Sequence, residues 1–171
     1  FDLIECVGVL HHLDDPLAGW RVLTDLLRPG GVMKIGLYSE AARQDVIAGR
    51  TLIAEHGLDP TPAGIRRARE LVAEDPALES LTTRHSFYSA SEWRDLVFHV
   101  QEHRFTLPQI AEALETLSLQ FLGFEMRNQD TIQAFQAENG DGLTDLDAWH
   151  AFETAHPDTF RGMYQFWVRK R

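Results

Sequence analysis

Leu3, Ile4, Cys6, Val7, Val9 and Leu10 make the start of the chain a nearly continuous apolar run, the pattern of a strand covered on both faces. Leu17, Trp20, Val22, Leu23, Leu26 and Leu27 then recur at helical spacing and predict a helix with a broad buried stripe. Asp15 is placed to cap that helix and Pro16 suits its first turn, while Arg28-Pro-Gly-Gly31 ends it. A second apolar strand comes at once, Val32 to Tyr38. Strand, helix and strand in this order form a parallel crossover.

Past Tyr38 the period changes to helical. Ser39 to Gly57 reads as one helix with Val46, Leu52 and Ile53 in a core. Asp59-Pro-Thr-Pro62 breaks the pattern, and a helix through Ile65, Ala68, Leu71 and Val72 comes after it. Ser89 with Glu92, and Thr106 with Gln109, each give a helix-start signature. Leu119 to Met126 and Met163 to Val168 read as strands, with a short helix opened by Thr144 and Asp147 between them, carrying Trp149 and Phe152.

The segments "FDLI…GVLHHLDDP…LLRPGGVMKIGLYSE", "SFYSASEWRDLVFHVQEHRFTLPQI", "LSLQFLGFEM" and "FRGMYQFWVRK" together resemble a class I S-adenosylmethionine-dependent methyltransferase. The resemblance is closest to a bacterial subgroup often joined to tetratricopeptide repeats. It implies an α/β fold, the C-terminal half of a Rossmann-like sheet, with four strands ordered fourth, fifth, seventh, sixth and the last antiparallel. It divides the chain into a strand–helix–strand core over 1–38, a helical insertion or lid over 39–104, and a helix with the closing strand pair over 105–171. The glycine-rich loop after the family's first strand and the acidic end of its second have no counterpart. Phe1 is no initiator methionine, so the expectation is a half-domain whose isolated form binds S-adenosylmethionine weakly or not at all and is inactive.

The resemblance sets Val7, Gly8 and His12 against the cofactor and His11 toward catalysis. Ligands of open α/β sheets bind at the carboxyl ends of the strands. That places Tyr38, and Arg84, Tyr88, His99 and His103 of the insertion, as candidate substrate contacts. His11 and His12 could equally serve as local hydrogen-bonding groups of the turn. The acceptor, a small molecule or a protein, is left open.

A net charge of −10, from 16 Lys and Arg against 26 Asp and Glu, argues against nucleic acid as a partner. No apolar run reaches the roughly 18 residues of a membrane helix, and no signal peptide is visible, so a cytoplasmic protein is expected. The single cysteine, Cys6, forbids an internal disulfide. His99-Val-Gln-Glu-His103 matches H-x-x-E-H, and on a helix His99, Glu102 and His103 could serve a zinc hydrolase. No second motif supplies a third ligand, so no metal is assigned. A non-catalytic interaction module and a nicotinamide-type Rossmann fragment compete with the methyltransferase reading. The first strand would lack a neighbour on one side, which predicts self-association, most simply a dimer through that strand.

Overall fold

The computed structural model describes residues 1–99, 101–126 and 128–171. Two compact units emerge: Phe1–Ala42 with Gln101–Arg171, and Arg43–Val100. Each has its own apolar core.

In the first unit β1 (Leu3–Val7) leads through a short 3-10 turn, Leu10–His12, and α1 (Pro16–Leu26) to β2 (Val32–Ser39). β1 and β2 are parallel, Leu3 opposite Val32 and Val7 opposite Gly36. Asp15 caps α1, its Oδ1 accepting from the Ala18 N–H at 2.9 Å. The closing pair is β4 (Leu119–Phe124) and β5 (Tyr164–Lys170), antiparallel to each other, with β5 also antiparallel to β2. The order β1-β2-β5-β4 is the one expected from sequence. A fifth strand corrects the expected count: β3 (Arg104–Phe105) adds two residues alongside Tyr38 and Ser39. Two residues carry no readable period, so only the pairing reveals it.

Four further expectations are corrected. The stripe on α1 is split: Trp20 and Leu27 are sealed, but Val22 and Leu26 are 58% and 51% exposed. Likewise β1 is not covered on both faces, since Leu3 is 55% exposed and Cys6 alone of its residues is buried. Between β4 and β5 lies a helix that hydropathy did not show, α7 (Gln129–Asn139), with Phe135 its one buried residue. The next, α8 (Leu146–Ala155), is capped by Asp145, which accepts from the Asp147 and Ala148 N–H groups, rather than opened by Thr144. Ahead of β4, α6 (Leu107–Thr116) carries the expected capping box between Thr106 and Gln109.

The second unit holds the remaining helices: α2 (Gln44–Glu55), α3 (Pro62–Glu74), the single turn α4 (Glu79–Thr82) and α5 (Ala90–Phe98). The helix expected from Ser39 starts at Gln44, after a 3-10 turn at Ala41–Arg43. Val46, Ile53, Ala68, Val72, Leu81 and Trp93 make the core, and Ser89 caps α5 through the Glu92 N–H. This unit is shorter than the 39–104 segment read from sequence, because residues on either side of it pair with the sheet of the first.

Candidate functional site

The carboxyl ends of β1 and β2 lie side by side, and the residues just past each strand build the site. Gly8 ends β1 with φ +77°, a backbone state that an L side chain adopts only at a cost. A Cβ there would meet Met163 Cε alone, at 3.9 Å, so the conformation and not crowding demands glycine. Gly36 on β2 shows the opposite case: a Cβ would come within 2.7 Å of Val7 Cγ1 and Met163 Sδ and 3.0 Å of Val7 Cα.

Three rings gather beyond Gly8. The His11 ring centre lies 4.1 Å from that of Tyr38 and 4.3 Å from that of His12. His11 is fully buried; His12 and Tyr38 are half-buried and keep open surface. His12 Nδ1 lies 3.0 Å from the Gln101 carbonyl, an acceptor only, which requires the proton on Nδ1 and makes Nε2 the acceptor in the neutral ring.

The segment 101–105 is stitched across these strand ends. The His103 N–H donates to the His11 carbonyl at 2.8 Å, and the Glu40 N–H to the Phe105 carbonyl at 2.9 Å. Arg104 Nε donates to Glu40 Oε2 at 2.8 Å, and Gln101 Nε2 to Asp14 Oδ1 at 2.9 Å. His103 Nε2 is sealed from solvent without a hydrogen-bond partner among the described residues.

Sequence reasoning missed the support beneath this cluster. Ser39, the last residue of β2, donates to Glu153 Oε1 at 2.6 Å and accepts from the Ala42 N–H at 3.0 Å. Tyr164 Oη lies 2.8 and 2.7 Å from the two Glu153 oxygens. All three side chains are buried. Burial holds the Glu153 carboxyl above the usual carboxylate range, against the opposing pull of the Ser39 and Tyr164 hydroxyls. Burial and the neighbouring carboxylate push the Tyr164 phenol upward as well. An acidic residue on a short aromatic-rich helix was the only sequence signal, and it does not identify its partners.

The structure thus brings together Val7, Gly8, His11, His12, Tyr38 and His103. Arg84, Tyr88 and His99 belong to the second unit. Arg84 is tied within that unit to Asp45, Nη2 to Oδ1 at 2.9 Å. Tyr88 is 76% exposed. His99 is the C-cap of α5 in extended conformation, and Gln101 to His103 are outside any helix, so the shared helical face required by the zinc reading does not form. Val100, inside that motif, lies outside the described residues. Among the described residues no three His, Cys, Asp or Glu side chains are grouped to hold a metal ion. Nor is any described helix long and apolar enough to cross a membrane.

No family model matches the chain. A protein of uncharacterized function from Synechococcus sp. is 34% identical over 139 residues, covering 75% of this chain and 33% of that protein. Among solved structures, PKMT2 from Rickettsia typhi superposes over 100% of this chain and 37% of its own, with a TM-score of 0.72 at 16% identity. PKMT2 in complex with AdoHcy gives 0.60 at the same identity and coverage. The chain therefore spans about a third of the length of the proteins it matches, and its fold is that of the corresponding part of PKMT2.

Proposed function

We propose that the chain is the carboxyl-terminal part of a class I S-adenosylmethionine-dependent methyltransferase core, acting with further chain that completes the cofactor site. The observation that carries this reading is the sheet, a parallel pair followed by an antiparallel pair in the order β1-β2-β5-β4, in a chain that superposes along its whole length on a protein solved in complex with AdoHcy. AdoHcy is what S-adenosylmethionine becomes once its methyl group is transferred, and the cofactor supplies that methyl on an electrophilic sulfonium.

The residues at the end of β1 fit such a group. Gly8 presents bare backbone, with Met163 Cε 3.9 Å from where a Cβ would stand, and Val7 flanks it in a half-buried position. These form one wall. His12 and Tyr38 offer the accessible polar and aromatic surface next to it, suited to orienting an acceptor in line with the methyl. The buried ring of His11 acts from beneath, through its contact with Tyr38 and its carbonyl link to His103. Tyr88 and His99 remain candidate substrate contacts of the helical unit.

Calorimetry with S-adenosylhomocysteine tests the reading on the longer protein and on the 171-residue chain in parallel. The longer protein should bind, and this chain alone should bind far more weakly because one wall supplies few polar contacts. No binding by the longer protein overturns the assignment, and low-micromolar binding by the short chain overturns the half-site. In the longer protein His11→Ala should lower turnover more than cofactor affinity.

A further inference from the structure

Successive strand residues face opposite sides of a sheet, so Leu37 points away from the Tyr38–His11 cluster. On that far face an apolar pocket of about 220 Å³ opens between α1 and α6. Its floor is Leu10, Trp20 and Leu37, all buried, with Leu17 and Ala113 in the walls. Glu112 stands exposed among the lining residues and is the one charged side chain there. No hydrogen bond or ion pair engages its carboxylate among the described residues, whereas the Gln109 side-chain carbonyl accepts from the Thr106 N–H in the cap of α6. Trp20 Nε1 is closed off from open space, so the indole offers ring surface and no donor.

We propose that this pocket binds a small organic cation, an alkyl- or arylammonium whose apolar body fills the floor and whose ammonium meets Glu112. At about 220 Å³ the pocket has room for a benzene-sized body against its apolar floor. No cationic side chain lines the pocket to hold an anion, and a chain of net charge −10 favours cations at its surface. This site is independent of the methyl-transfer reading.

The test is a methyl-NMR titration of the full chain with benzylammonium and with benzyl alcohol, its neutral counterpart, at low salt. Both should shift the Leu10, Leu17 and Leu37 methyls, with benzylammonium the tighter by about threefold to fivefold, the range of an exposed ion pair. Glu112→Gln, an exposed substitution, should abolish the preference and leave benzyl alcohol binding unchanged. Absence of shifts at those methyls overturns the proposal. So does equal affinity for the two ligands, or a preference that survives Glu112→Gln.

Discussion

Replacing Glu153 with alanine removes the acceptor for two buried hydroxyls at once. Ser39 Oγ, at 2.6 Å, and Tyr164 Oη, at 2.8 and 2.7 Å from the two carboxylate oxygens, are both buried and lose that acceptor. Each orphaned donor costs about 1–3 kcal/mol. Removing an ion from a dry site returns part of that, because burial already disfavours the charged carboxylate. The net expectation is a loss of about 2–4 kcal/mol, which for a chain of this size lowers Tm by about 5–15 °C. Glu153→Gln keeps the shape and one acceptor and serves as the control for pH.

The direction with pH comes from the raised carboxyl. The native state holds the Glu153 proton more tightly than the unfolded chain, whose value is near the ordinary 4.5. The contribution of this group to stability is therefore complete below 4.5 and declines as pH rises through the folded value. Glutamine does not titrate. Tm of Glu153→Gln relative to the unsubstituted chain should accordingly rise as pH increases from 4.5 through the folded value, all other groups being common to both. Thermal unfolding followed by near-ultraviolet circular dichroism measures both effects. An alanine variant melting within about 1 °C of the parent refutes the buried-network argument. A difference between parent and glutamine variant that is flat or reversed with pH refutes the linkage.

Two other outcomes are expected. Gly36→Ala forces a methyl to within 3.0 Å of the Val7 backbone, so β1 and β2 must part; destabilisation of about 1–3 kcal/mol should appear in urea denaturation, and an unshifted midpoint would disprove the close approach. Among the described residues β1 pairs with β2 on one side only, beside Phe1, Leu3, Val22 and Leu26, all more than half exposed, so the chain should self-associate in a concentration-dependent way. Sedimentation should detect this, with Val22→Lys weakening it; a clean monomer at high concentration would rule it out.

Local signals determined much of this protein before any contact was known. Apolar runs marked the four principal strands, and Asp15, Ser89 and the Thr106–Gln109 box marked helix starts, because strand period and capping are decided within a few residues. The resemblance carried by "VLHHL" and "LRPGG" led to the strand order and to the strand end where Gly8, His11 and Tyr38 meet. Other features depended on partners distant in the chain. A helix such as α7 with one buried residue shows no apolar stripe, and a two-residue strand exists only through its neighbour. Whether Val22 and Leu26 are covered, which carboxylate Arg84 pairs with, and whether His99 and His103 share a helix were settled by packing and chain path. The Ser39–Glu153–Tyr164 network joins residues 114 positions apart, Ser39 to Glu153, and only the folded sheet brings them within hydrogen-bonding distance.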